Sequence, residues 1–332
     1  MKIFVTGVAG LLGSHISEVL TIAGHEVIGV DNFIGGYKDN IPRNISFYQA
    51  DCLSYGDMKE LMTGCEVVVH CAATAYEGLS VFSPHLVTQN IFGATTGVLS
   101  AALANKVRRF IYLSSMARYG SQQTPFTEDM PTKPQDPYGI AKVAAENIVR
   151  NLCNTHGMDW NIVVPHNIIG PRQLYTDPFR NVASIMVNRC LQGKPPIIYG
   201  DGRQKRCFSF VGDVLEPLQK LIIGDIRGET LNVGPDEEFV EINDLAKLVM
   251  KLTGFEGAVI HMPGRPQEVK EATCSADKAR RLLGYKTSTT LEQGIQSIVD
   301  YVKTRGTQPF DYHLPLEFTT DKTPETWTKR LL

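Results

Sequence analysis

The stretch KIFVTGVAGLLG, residues 2–13, constrains the fold more than any other part of the chain. A short apolar run ends at Thr6 and passes at once into glycines at positions 7, 10 and 13, and a helical pattern follows over 11–23. A strand that feeds a glycine turn and then a helix presents free N–H groups at the helix start, a ready site for a phosphate. Gly7 permits the tight turn, Gly10 lets a pyrophosphate approach the backbone, and Gly13 lets helix and strand pack closely. The second apolar run, EVIGVD, ends on Asp31, 18 residues after Gly13. A carboxylate there can bond both hydroxyls of an adenosine ribose and repels a 2′-phosphate, so the pattern favours NAD over NADP. Lys38 is the one nearby cation that argues the other way.

The rest of the first half repeats the alternation. Strand-length apolar runs fall at 2–6, 26–31, 45–50, 66–71, 108–114 and 159–165, with helical periods near 11–23, 56–63, 85–105 and 137–155. Most of these runs are apolar on both faces, as a parallel sheet covered by helices on both sides requires. The expected fold class is α/β, a Rossmann-type doubly wound parallel sheet. After about residue 170 the elements are shorter, which suggests a smaller C-terminal substrate-binding lobe. The expected division is 1–170, with roughly 207–235, for an NAD-binding domain, and 171–206 with 236–332 for the lobe. The tail 308–332 carries prolines and no clear period, and is expected to wrap over the surface.

Composition excludes several classes. With 33 Lys+Arg against 35 Asp+Glu, the net charge of −2 leaves no footprint for nucleic acid or an anionic membrane. No apolar run is read as a membrane span, and MKIFVTG reads as a strand entering a loop, so the expected compartment is the cytoplasm. Seven scattered cysteines with no Cys-x-x-Cys pair fit reduced thiols in core positions, with no zinc site and no disulfide framework.

PQDPYGIAKVAAE sets Tyr138 and Lys142 four residues apart, with Pro137 suited to a first helical position and Asp136 to an N-cap. The two side chains are then neighbours on one helical face. An adjacent ammonium and a helix N-terminus would both lower a phenol from its usual pKa of about 10 and make Tyr138 a general base. Ser115 lies upstream in LSSMARYG, where Ser114 reads as structural and Arg118 as a solvated loop arginine.

The Gly-x-x-Gly-x-x-Gly spacing and the Ser115, Tyr138, Lys142 set resemble the extended short-chain dehydrogenase/reductase family, over roughly residues 1–300. The resemblance implies that Ser115, Tyr138 and Lys142 are catalytic, with Lys142 also bonding the nicotinamide ribose. It further implies that NAD lies against Gly7, Ala9, Gly10, Leu11, Leu12, Gly13, Asp31 and Asn32. Asp51 and Cys52 would sit by the adenine, and Cys71, Ala72 and Ala73 by the pyrophosphate and ribose. Asn90, Tyr138, Lys142 and Pro165 complete that set.

VPHNIIGPRQ matches the family's Asn-x-x-Gly-Pro-Arg, with Asn167 as the asparagine that bonds a nucleotide diphosphate. YGDGRQKRCFSFVGD matches the stretch in which Arg206 grips diphosphate and Tyr199 packs near the base, although Cys207 stands where the family carries Asp. GRPQEV supplies Arg265 as a second phosphate clamp and Glu268 near the nucleotide ribose. With Ser115, Met116 and Tyr138 these form the implied substrate set, and the implied substrate is a nucleotide-diphosphate sugar.

Family dehydratases carry Asp-Glu after the triad Ser/Thr, and decarboxylases carry Ser-Glu. Here Met116-Ala117 can transfer no proton, so the resemblance implies a 4-epimerase, acting on a UDP-hexose or UDP-N-acetylhexosamine. Ala272 would leave room for a bulky C2 group, and Glu77 and Ser80 of TAYEGLSVF are candidates to face the sugar. The alternative is a nucleotide-sugar 4-reductase or another keto-sugar enzyme acting on a dTDP-, GDP- or CDP-sugar. A non-catalytic dinucleotide sensor is the remaining class. The helices near 85–105 and 137–155 would form a homodimer's four-helix bundle.

Overall fold

The computed structural model describes residues Met1–Leu332. Seven strands form one sheet: β1 (Lys2–Thr6), β2 (Glu26–Asp31), β3 (Ser46–Gln49), β4 (Val67–His70), β5 (Arg109–Leu113), β6 (Asp159–Pro165) and β7 (Glu229–Val233). Their spatial order is β7-β6-β5-β4-β1-β2-β3, and every neighbouring pair is parallel. The chain winds from β1 outward through β2 and β3, then returns to β4 and winds the other way. The direction of winding therefore reverses between β1 and β4, which opens a crevice at their carboxyl ends.

Both faces of the sheet are buried because side chains alternate along each strand. Phe4, Val68 and Phe110 point to one face, against α2 (Tyr55–Leu61), α3 (Pro84–Ala104) and α4 (Pro137–His156). Ile3, Val5, Val67, Val69 and Ile111 point to the other. There they meet α1 (Leu11–Ile22), the later helix α6 (Val211–Ile223) and α8 (Asp277–Leu283). Each such fully buried aliphatic side chain stabilises the fold by about 1.5–3 kcal/mol relative to exposure.

The helix α3 is long and apolar enough to cross a membrane, contrary to the sequence reading that found no such run. Its apolar residues Val98, Leu99, Ala101 and Ala102 instead pack under the sheet. A separate core lies outside the sheet, where Met186 of α5 (Val182–Leu191) meets Leu245 and Val249 of α7 (Ile242–Thr253) and Ile295 and Val299 of α9 (Leu291–Arg305). The segment 276–285, including α8, packs on the sheet core through Ala279 and Leu283.

One buried cation ties the sheet to its covering helix. Arg109 of β5 is fully buried and donates to the carbonyls of Leu221, Ile222 and Gly224 at 2.9, 3.1 and 2.6 Å. These are the free carbonyls at the end of α6, where a cation also meets the negative end of the helix dipole. Arg109→Ala leaves them buried and unpaired, at a cost of about 3 kcal/mol. Urea denaturation should read that loss as a lower midpoint with an unchanged slope.

Candidate active site

The glycine loop owes its shape to steric contacts. Gly7 has φ of +76°, and a Cβ there would lie 2.9 Å from the Ala72 nitrogen at the end of β4. A Cβ on Gly13 would lie 2.0 Å from the Gly7 carbonyl oxygen, so no side chain fits. Asp31 at the end of β2 accepts from the backbone N–H of Ala9 at 2.9 Å and of Phe33 at 2.7 Å. Burial raises its carboxyl above the usual range, and those backbone donors oppose the shift. Asn32 donates to Asp51 at 3.0 Å, which joins the loops after β2 and β3.

Beneath the loop lies a buried polar chain absent from the sequence reading. His70 is hydrogen-bonded to Thr6 at 2.8 Å and Thr95 at 3.1 Å, and Thr6 accepts from the Ala72 N–H at 3.0 Å. Burial first, then the nearby Lys142 charge, pushes His70 down to about 3. His166, 3.2 Å from the Pro235 carbonyl, is pushed down by burial to about 4. A base whose folded pKa is depressed takes up its proton more readily when unfolded. Stability should therefore fall as pH drops below about 6.5, by roughly 1.4 kcal/mol per pH unit for each histidine. Urea midpoints between pH 6.5 and 5 should show this slope, and His166→Gln should remove about one proton's share of it.

The reactive residues stand over the crevice. Asp136 caps α4 by accepting from the Gly139 N–H at 2.9 Å, and this places Tyr138 in the first turn. Lys142 donates to the Leu113 carbonyl at 2.7 Å and lies 5.9 Å from the Tyr138 ring centre. The expected lowering of the Tyr138 phenol by Lys142 is not what the structure holds. Burial pushes Tyr138 up to about 12, with Ser115 and then Arg180 acting in the opposite direction. Burial likewise pushes Lys142 down to about 7. The Lys142 amine is held on a backbone carbonyl, and burial is the dominant influence on the phenol.

Ser114 donates to the fully buried Glu146, which also holds Arg150 at 2.8 Å and Arg118 at 3.2 Å. Ser114 is thus part of a structural network. Arg118 is buried within it, not solvated, and shares the buried Glu146 carboxylate with Arg150.

One cavity of about 450 Å³ runs through the site, a size suited to a small-molecule ligand. Gly7, Gly10, Leu11, Leu12, Gly13, Asp31, Asn32, Asp51, Cys52, Cys71, Ala72, Ala73 and Asn90 line one end. Ala9 stands beside them through its bond to Asp31. Asn90 sits in a π-helical turn, Gln89–Gly93, within α3, a local irregularity common at functional sites. Ser115, Met116, Tyr138, Lys142 and Pro165 line the middle, and Asn167, Tyr199, Arg206, Arg265, Glu268 and Ala272 the far end.

Arg206 donates to the carbonyls of Val269 at 2.5 Å and Lys205 at 2.8 Å, and Arg265 pairs with Glu268 at 3.0 Å. Glu77 also lines the cavity, and burial raises its carboxyl to about 7. Ser80 does not line it; its hydroxyl donates to the Glu77 carbonyl at 2.6 Å. Cys207 lies outside the cavity, fully buried, with its sulfur 3.5 Å from His166. Arg180, Gln173 and Leu332 line the cavity as well, and no motif in the sequence marked them.

These residues fit NAD. The loop admits no Cβ where a pyrophosphate would approach, the start of α1 offers free N–H groups, and Asp31 stands where a ribose diol would be bonded.

Residues 3–234 match the family model described as the NAD dependent epimerase/dehydratase family. A putative UDP-glucose 4-epimerase of Methanocaldococcus jannaschii is 33% identical over 307 residues, 91% of this chain and 98% of that protein. A UDP-N-acetyl-alpha-D-glucosaminuronate decarboxylase of Bacillus cytotoxicus is 28% identical, with 91% and 98% covered. Among solved structures, the UDP-glucose 4-epimerase of Thermotoga maritima with UDP-glucose is 29% identical with a TM-score of 0.86, covering 92% of this chain and 99% of that one. A glycine loop, a capped Tyr-x-x-x-Lys helix and a matching family model agree over most of the chain, which belongs to the NAD dependent epimerase/dehydratase family, within the extended short-chain dehydrogenase/reductases.

Proposed function

We propose that this protein interconverts nucleotide-diphosphate sugars at C4, with a UDP-hexose or UDP-N-acetylhexosamine as substrate. The observation that carries the reading is the single cavity that joins the glycine loop, the Tyr138 hydroxyl and two arginines. NAD, when bound, supplies reversible oxidation of the sugar at C4 and return of the hydride. Tyr138 takes the proton of the C4 hydroxyl and gives it back, and Ser115 orients that hydroxyl. Lys142 holds the ribose side of the cofactor.

Arg206 and Arg265 hold the diphosphate by charge-assisted bonds, with Asn167 beside them, and Tyr199 and Glu268 receive the nucleoside. Met116, 8% exposed, and Ala117 offer the ketone no acid or base directly after Ser115, which favours reversal of the oxidation. Ala272, also 8% exposed, leaves space beside the sugar for a C2 substituent.

Residues 1–170 with 207–235 serve the dinucleotide, and 171–206 with 236–332 the nucleotide sugar. The protein pairs with a second copy through α3 and α4, where Phe92 and Ile140 are 38% and 54% exposed. Seven free cysteines fit a reducing compartment, the cytoplasm. The test is incubation with UDP-glucose, UDP-N-acetylglucosamine and UDP-glucuronic acid, followed by proton NMR and mass spectrometry. Inversion at C4 with unchanged mass and no added cofactor is expected. Loss of water or carbon dioxide, or stoichiometric use of added reduced cofactor, would overturn the reading.

A further inference from the structure

We infer that the C-terminal segment 308–332 is part of the substrate site, and that Thr326 is a positioning residue that holds Tyr199 for the nucleotide end of the substrate. The inference rests on the nucleotide-sugar reading above.

The segment is fastened at several points to the rest of the molecule. On the side of the glycine loop, His313 donates to the Ile34 carbonyl at 2.9 Å, and Ser83 donates to the Pro315 carbonyl at 2.8 Å. Glu317 accepts from the N–H groups of His85 and Leu86 at 3.0 and 2.6 Å, so its carboxylate caps the start of α3. Further along, the Asp311 N–H donates to the Thr176 carbonyl at 2.9 Å, and Arg189 of α5 donates to the Leu331 carbonyl at 3.1 Å. A segment held only as surface wrapping would not need charged and backbone ties to two separate parts of the molecule.

Its last helical turn, Glu325–Thr328, reaches the site itself. Thr326 is fully buried, and its hydroxyl is hydrogen-bonded to the Tyr199 hydroxyl. Its carbonyl accepts from Tyr312 at 2.8 Å, which fixes the turn. Tyr199 in turn carries the Arg265 guanidinium over its ring at 4.6 Å, and Arg265 is bound to Glu268. Thr326 therefore anchors a row of three side chains that all line the cavity.

Trp327 packs edge-on against Phe179 and Phe82, with ring centres 5.3 and 6.1 Å apart. A Cβ on Gly78, beside Glu77, would lie 3.4 Å from the Trp327 ring, so the tail also bounds the loop that faces the sugar. Leu332 lines the cavity directly.

Thr326→Val keeps the shape of the side chain and removes the hydroxyl, which leaves the Tyr199 hydroxyl without that partner. The KM for the UDP-sugar that the wild type turns over should rise about tenfold, with kcat within twofold. Calorimetry with UDP alone should show the same tenfold loss, about 1.4 kcal/mol. NAD content should stay at the wild-type value. Thr326→Ser should restore the wild-type KM, a rescue that filling a core position would not produce. Should Thr326→Val fold poorly, Tyr199→Phe removes the same bond from the other side, and the double variant should bind UDP no worse than the weaker single variant. Additive losses in that cycle, or an unchanged UDP affinity in Thr326→Val, would overturn the inference. Wild-type protein that binds UDP but turns over no nucleotide sugar removes the catalytic reading and leaves the UDP comparison to decide this one.

Discussion

Tyr138→Phe should lower kcat by about 10³-fold, within the range a positioned general acid–base contributes, and leave NAD bound. The substitution keeps the ring that packs beside α3 and removes only the hydroxyl, which pairs with Ser115 at the cavity wall. Burial holds that phenol near 12, so the wild-type group keeps its proton until the site favours the phenolate. Only the phenolate can accept the proton of a substrate hydroxyl, so Ser115 and then Arg180, which favour that form, bear on the step. Cofactor released by denaturation and measured at 260 nm should be stoichiometric in both proteins. Turnover within tenfold of wild type would remove Tyr138 as the proton carrier. Loss of NAD together with turnover would make its role structural.

Gly13→Ala should yield protein that purifies without NAD and turns over no substrate. The added Cβ would sit 2.0 Å from the Gly7 carbonyl oxygen, a backbone atom that cannot rotate away. Relief requires α1 to move off the strand or the loop to open, and either shift displaces the N–H groups that a pyrophosphate would meet. Gly10 makes a useful contrast. A Cβ there would stand 3.3 Å from the same oxygen, tight but open to small adjustment, so Gly10→Ala should weaken NAD retention less. Equal NAD content in Gly13→Ala and wild type would show that the loop does not seat the dinucleotide.

The elements that make the cofactor end are local in the sequence, which is why they are legible there. The six strands expected from apolar runs all form, each within a residue or two of its expected span. The seventh strand, Glu229–Val233, is half exposed at its start and pairs only at the edge beside β6, so its burial pattern is less distinctive. Asp136 and Pro137 announce the start of α4 because capping chemistry is set by neighbouring residues. Ser114 and Ser115 both line the cavity, and what sets Ser114 apart is its bond to Glu146, 32 positions away in the chain.

What periodicity could not convey is the environment each charge meets. Arg118 looks like a loop arginine until Glu146, 28 positions away, is seen buried against it. Ser80 looks like a sugar contact until its turn aims the hydroxyl at the Glu77 carbonyl. Tyr138 and Lys142 are neighbours by spacing, but burial shifts the Tyr138 phenol against the expected direction and lowers Lys142 to about 7.

The sequence by itself determined the parallel sheet, the glycine loop with its acid, and the Tyr-x-x-x-Lys helix. The glycine loop and the helix start depend on near neighbours in the chain, and the strands announce themselves by which side chains avoid water, although their pairing joins distant segments such as Ile3 with Val67. The tertiary structure alone decided how the tail 308–332 is used. Thr326 and Tyr199 are 127 residues apart, and their bond exists only because two separately folded segments are brought to one wall of the cavity. It likewise decided the protonation of the buried groups, because desolvation depends on everything that surrounds a side chain and not on its neighbours in the chain.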